Sequence, residues 1–156
     1  MRRDSALVGL AGTYFVAAEL SQLGYVATVT SRNTEGIDIL AANRDGSKAV
    51  SIQVKTSRDD LRESFSRSWI MQEKHENIYS DHLFYVFADL KPNEKPDLYV
   101  VPSKVVADYI KKTHQEWLKT PGRGGRKHKE NPMRLFEILN EKDAPKYLNR
   151  WDLLGL

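Results

Sequence analysis

An acid, an amide and a lysine fall on one strand face in the first half of this sequence. Gly36-Ile37-Asp38-Ile39-Leu40-Ala41-Ala42 and Val50-Ser51-Ile52-Gln53-Val54-Lys55-Thr56 both read as strands, separated by Asn43-Arg44-Asp45-Gly46-Ser47-Lys48. Asp-Gly is the strongest short hairpin signal. With Asp45-Gly46 as a two-residue turn, Arg44 faces Ser47, and counting outward sets Asp38 opposite Gln53, their β-carbons about 4.5–5.5 Å apart. Side chains alternate along a strand, so Lys55 shares the face of Gln53. Aspartate is depleted in strands, and Asp38 interrupts an otherwise apolar run. A buried carboxylate is costly unless it is paired, hydrogen-bonded or bound to a cation. Magnesium takes a nearly octahedral shell of oxygens, usually a carboxylate or two with water and phosphate. Asp38 can supply the charge, Gln53 its amide oxygen and Val54 its backbone carbonyl. Lys55 can then orient an attacking water and balance charge that builds on a phosphoryl group. The plainer alternative makes Asp38, Ser51, Gln53 and Lys55 the solvated side of a half-buried hairpin.

The surrounding elements must hold that face in place. Asp4 or Ser5 caps a helix that runs to about Leu23 and stops at Gly24. Tyr25 to Thr30 forms a first strand, the hairpin supplies the next two, and Leu83 to Ala88 is a strongly apolar fourth. Asp97 to Val101 is a fifth, after which Pro102-Ser103 opens a second helix with Val105, Val106, Tyr109, Ile110 and Trp117 as its apolar stripe. Residues 59–80 are polar and poorly periodic apart from Trp69-Ile70-Met71. Met133 to Leu139 is ambiguous between strand and helix, and Ala144-Pro145 is expected to start a last helix carrying Tyr147, Leu148, Trp151 and Leu154. The order predicts an α/β fold: a mixed central sheet of about five strands flanked by helices, as one domain over 1–156.

The 156-residue chain is long enough for a real core. It contains no cysteine, which excludes disulfides and thiolate metal sites. Met1-Arg2-Arg3-Asp4 leads into a modest apolar run without a cleavage signature, and no apolar stretch approaches membrane-spanning length. A cytoplasmic protein without a membrane partner is the expectation. The net charge of +3 is mild, but Lys119, Arg123, Arg126, Lys127 and Lys129 crowd one acid-free segment with Pro121, Gly122, Gly124 and Gly125. Such a basic loop suits a phosphate backbone, because lysine and arginine displace its condensed counterions. The alternative is a solvated loop that keeps the protein soluble. Arg58, further along the strand of Lys55, can also touch a phosphate. The four histidines show no metal-ligand spacing, and Trp69 and Trp117 read as packing residues.

Gly36-Ile37-Asp38 followed after the hairpin by Gln53-Val54-Lys55 resembles the PD-(D/E)XK nuclease superfamily. The upstream helix ending at Gly24-Tyr25 is similar to that of archaeal Holliday-junction resolvases and Mrr-like restriction nucleases. The resemblance implies a mixed sheet flanked by helices and Mg²⁺- or Mn²⁺-dependent cleavage of DNA, with a homodimer possible. It implies Asp38 as the first-strand aspartate and Lys55 as the catalytic lysine. Ile37 stands where the name-giving proline would be. Gln53 replaces the usual acid, as in the Gln-x-Lys form of Mrr-like members. The metal-assisting glutamate that many relatives carry in the first helix falls here at Thr13, not at Glu19. Helical geometry agrees: Gly9, Thr13, Val16, Leu20 and Leu23 form the stripe expected to meet the sheet, with Glu19 about 100° around from Leu20. A site short of carboxylates keeps two further readings open. One is a catalytically silent relative that binds nucleic acid or a protein. The other is an accessory protein of a restriction or mobile-element system.

Overall fold

The computed structural model describes residues 4–31, 34–58 and 66–156. Parts of two segments read above as polar connections, 32–33 and 59–65, therefore lie outside the described residues. Helix α1 (Ser5–Gln22) is capped by Asp4, whose carboxylate accepts from the Ala6 N–H at 2.8 Å. It ends where Gly24 takes φ +91° and the Tyr25 N–H reaches back to the Leu20 carbonyl at 3.0 Å, a closure that glycine reaches without a Cβ penalty. Strands β1 (Val26–Val29), β2 (Ile39–Ala42) and β3 (Ala49–Arg58) form an antiparallel meander. Strands β4 (Arg67–Gln72), β5 (Leu83–Leu90) and β6 (Asp97–Pro102) lead to helix α2 (Ser103–Lys119), and β7 (Met133–Ile138) follows the basic loop.

Five strands make one mixed sheet in the order β1-β2-β3-β5-β6, with β3 and β5 parallel and the other pairs antiparallel. Parallel neighbours need a long crossover, usually a helix. Here the crossover contains β4, which pairs with β7 in a second, two-stranded sheet, and a 3-10 turn, Glu73–Asn77. Strand β5 is buried on both faces, as expected of a strand with a parallel neighbour in the middle of a covered sheet. Phe84, Val86 and Ala88 join Val16, Leu20, Ile39, Ile52, Trp151 and Leu154 on one face. Tyr85 and Phe87 meet Trp69, Tyr99, Ile110 and Phe136 on the other.

Helix α1 therefore covers the sheet face that carries Ile52 and Val54. Its approach is close: a Cβ at Gly12 would collide with the Thr56 side chain. The expected stripe is rotated slightly, since Gly12, Thr13, Val16 and Leu20 are buried whereas Leu23 is half exposed. The expected last helix is absent. Two short 3-10 turns, Ala144–Lys146 and Trp151–Leu154, take its place. The chain between them lies along β6, with the Val100 N–H donating to the Tyr147 carbonyl (2.9 Å) and the Asn149 N–H to that of Leu98 (2.8 Å). Covering a sheet edge, which otherwise leaves a row of unpaired backbone groups, outweighs the helical pattern of the apolar residues.

The Tyr85 hydroxyl is buried with no hydrogen-bond partner among the described residues, and burial pushes its phenol pKa up to about 12. An unsatisfied buried hydroxyl costs about 1–3 kcal/mol. Tyr85→Phe is expected to stabilise the fold by about 1 kcal/mol in urea denaturation; a loss of stability would show that the hydroxyl is satisfied.

Candidate active site

The β2–β3 ladder runs Ile39↔Ile52, Leu40↔Ser51, Ala41↔Val50 and Ala42↔Ala49. This is the register that the Asp-Gly count anticipated, as far as the Ile39↔Ile52 pair; Asp38 lies one residue beyond the ladder, at a bend. The turn itself differs. It spans Asn43 to Gly46, closed by the Gly46 N–H on the Asn43 carbonyl (3.1 Å), with Gly46 at φ +70°. The Asp45 carboxylate accepts from the Ser47 N–H (2.9 Å), and the Asn43 N–H bonds the Lys48 carbonyl (3.2 Å). The four residues between the Asn43–Lys48 pair, Arg44 to Ser47, are still centred on Asp45-Gly46, so the register of a two-residue turn is kept.

Asp38 sits where that ladder gives out. Its N–H donates to the Ile52 carbonyl (2.8 Å) and its carbonyl accepts from the Thr30 N–H (2.9 Å), so β3 and the residue that follows β1 both hold its backbone. Its carboxylate Oδ2 then accepts from the Val54 N–H at 2.7 Å. This side chain substitutes for the strand carbonyl that β2 no longer provides, which explains an aspartate in an apolar run. A carboxylate offers about four lone-pair sites and this bond uses one. Because the N–H and C=O of one strand residue point to the same side, the Val54 carbonyl faces the same open edge as Asp38.

Ile39 and Ala41 are buried under α1, as are Val50 and Ile52. By alternation, Gln53 and Lys55 project from the opposite face, and the Asp38 carboxylate lies close enough to act on the Lys55 charge. Burial draws the Lys55 ammonium below the usual lysine range; the Asp38 carboxylate opposes this, and the Lys74 charge adds to it. Lys74 and His75, on the Glu73–Asn77 turn, are thus neighbours of the site that the sequence reading missed. Together with Gln53, Ser51 and Gly36 they line a cavity of about 480 Å³. Nothing in local periodicity marks them; the fold brings them there from the crossover.

The turn is firmly held. The Gln72 N–H donates to His75 Nδ1 (3.0 Å), the Glu73 N–H to the Pro132 carbonyl (2.9 Å), and buried Arg134 on β7 pairs with Glu76. The His75 ring meets Tyr85 edge-on at 6.0 Å. Burial, reinforced by the Lys55 and Lys74 charges, holds the His75 imidazole below its usual pKa. In the window just below pH 6.5 the unfolded chain therefore takes up a proton that the folded chain refuses, and stability falls with pH. The thermal midpoint is expected to drop between pH 7 and pH 5, with His75→Asn flattening part of that slope; an unchanged slope would show that His75 does not contribute.

The remaining expected residues are dispersed. Thr13 is buried on α1, across the sheet from Gln53 and Lys55, and its hydroxyl donates to the Gly9 carbonyl (3.2 Å). Glu19 pairs with Lys95 at 2.8 Å and lines a separate small cleft with Phe15 and Pro96. Arg58 closes β3, and alternation sets it on the opposite face from Lys55. Lys119, Arg123, Arg126, Lys127 and Lys129 are all exposed beyond or at the end of α2. Their loop is folded rather than loose: the Gly122 N–H bonds the Arg126 carbonyl (2.8 Å), and the His128 ring stacks on Trp117 at 4.0 Å.

Among the described residues, no group of three or more His, Asp or Glu side chains comes together as a metal cluster. Asp38, Gln53 and Val54 offer one carboxylate, one amide and one backbone carbonyl as oxygen donors at this edge. That set fits a hard cation such as Mg²⁺ or Mn²⁺ that keeps several waters and takes further oxygens from phosphate. It does not suit zinc, which favours nitrogen and sulfur ligands.

No protein-family model matches the chain, and no curated protein matches it in sequence. Similarity appears in structure. A bacterial homing endonuclease superposes with a TM-score of 0.61 over 99% of this chain and 94% of its own, at 14% identity. The Holliday junction resolvase Hjc of Archaeoglobus fulgidus, an archaeal hyperthermophile, gives 0.44 over 94% and 95%, also at 14% identity. No helix of the described residues is long and apolar enough to cross a membrane. The mixed sheet flanked by helices is the fold of that homing endonuclease, and the α/β architecture expected from the order of elements in the sequence.

Proposed function

We propose that the chain is a Mg²⁺- or Mn²⁺-dependent endonuclease that hydrolyses DNA phosphodiester bonds at the Asp38 edge. The observation that carries this reading is the meeting of the Asp38 carboxylate, the Val54 carbonyl side of β3 and the Lys55 ammonium where the β2–β3 ladder ends. Asp38, Gln53 and the Val54 carbonyl would hold the ion. When bound, it would polarise a phosphoryl oxygen and make a coordinated water more acidic. Lys55, desolvated and electrostatically tied to Asp38, orients the attacking water and offsets negative charge on the phosphoryl oxygens in the transition state. The nuclease-like fold supports this reading, and the exposed Lys119–Lys129 segment supplies cations suited to a phosphate backbone.

A second reading, a DNA-binding protein that does not cut, is favoured by one observation: among the described residues no second carboxylate joins Asp38 in a metal cluster, with Thr13 buried elsewhere and Glu19 paired with Lys95. Supercoiled plasmid incubated with Mn²⁺ separates the two. Nicking by the parent that is lost in both Asp38→Asn and Lys55→Ala supports the enzyme. DNA binding without nicking supports the second reading, and equal nicking by all three proteins defeats the assignment of the site.

A further inference from the structure

Lys74 is not explained by the fold. The Glu73–Asn77 turn that carries it is anchored through Gln72, Glu73, His75 and Glu76, but not through Lys74. The Lys74 ammonium instead meets Glu35 of the β1–β2 connection at 2.7 Å, and both residues line the cavity that Gln53 also lines. Both side chains are largely exposed, at 53% and 83%, and exposed pairs of this kind add little to stability. A firmly anchored turn with a solvent-exposed cation, paired only with an exposed carboxylate, is well suited to an exchangeable contact. Charge at the rim points the same way. Asp38 and Lys55 offset each other, so Lys74 would leave the cavity cationic, and Glu35 returns it to neutrality.

We propose that Lys74 is a phosphate-binding residue of this site, and that Glu35 occupies it until the backbone of a bound DNA strand takes its place. The inference rests on the reading of the site as DNA-directed and names a residue that the Asp38–Gln53–Lys55 motif does not contain. The cavity of about 480 Å³ between Gln53, Ser51 and the turn has room for a nucleotide unit next to the edge that bears Asp38. A phosphodiester outcompetes Glu35 because strand binding also releases condensed counterions, whereas the internal pair releases none.

The test is DNA binding without divalent metal, followed by fluorescence anisotropy of a labelled duplex across a salt series. Lys74→Ala is expected to weaken binding about 3–10-fold at low salt and to reduce the slope of log K against log salt by about one, the contribution of a single phosphate contact. Lys74→Arg should keep both. Glu35→Gln should tighten binding by about threefold or more, and that gain should shrink when Lys74→Ala is added. Parent-like affinity and slope in Lys74→Ala would overturn the proposal, as would unchanged affinity in Glu35→Gln. The plasmid assay with Asp38→Asn is read separately. Nicking that depends on Asp38 but binding indifferent to Lys74 defeats this inference alone. Lys74-dependent binding without nicking supports it while the enzyme reading fails.

Discussion

Asp38→Asn is expected to fold like the parent and to lose metal-dependent DNA cleavage by about 10²–10³-fold or more, the usual cost of removing one preorganised electrostatic group from a reacting centre. The isostere matters because Asp38 has two tasks. Its Oδ2 accepts the Val54 N–H at 2.7 Å, and an asparagine carbonyl can do the same. What asparagine cannot supply is the negative charge that faces Lys55. Asp38→Ala removes both, leaves the Val54 N–H without its partner, and is expected to cost about 1–2 kcal/mol of stability besides activity. Chemical denaturation and plasmid nicking on the two variants therefore separate scaffold from chemistry. If Asp38→Asn cleaves at the parental rate while Asp38→Ala merely loses stability, the carboxylate is a structural cap of β3 and the active-site assignment is wrong.

Phe87→Ala is expected to be the most damaging simple core substitution, lowering stability by about 3–5 kcal/mol and the thermal midpoint by about 10 °C for a chain of this size. Phe87 is fully buried on the central strand β5. Its ring stacks on Phe136 of β7 at 4.3 Å and lies 5.1 Å from Trp69 of β4 and 5.9 Å from Tyr85. These contacts are where the two-stranded sheet docks on the main sheet. The Glu73–Asn77 turn hangs from the same pair of strands through Arg134 and Pro132. Ile70, on β4 but 68% exposed, is the control, and Ile70→Ala should change stability by less than about 0.5 kcal/mol. Equal effects of the two substitutions in thermal unfolding followed by circular dichroism would refute this docking.

What could be read from the sequence was local. Asp4, Gly24 and the Asp45-Gly46 step mark chain geometry through side-chain capping and positive φ, which act within a few residues. Strand alternation then carried the hairpin outward to Ile39 and Ile52, because burying Ile39, Ala41, Val50 and Ile52 together excludes a one-residue slip and the Asp-Gly turn selects among the rest. Even the difference in loop shape left that alignment intact.

The elements missed or left open between strand and helix are those whose pattern depends on distant partners. In β4, exposed Ile70 between buried Trp69 and Met71 hid the alternation. In β7, buried Arg134 and exposed Met133 inverted it, since Glu76 provides Arg134 with a counter-charge 58 residues away. Residues 144–154 have helical apolar spacing, but their backbone satisfies the edge of β6 instead. Asp38, Gln53 and Lys55 were legible because one hairpin holds them. Lys74 and His75 reach that face only through the packing of the crossover turn against β7 and α2, a long-range arrangement that no window of the chain encodes.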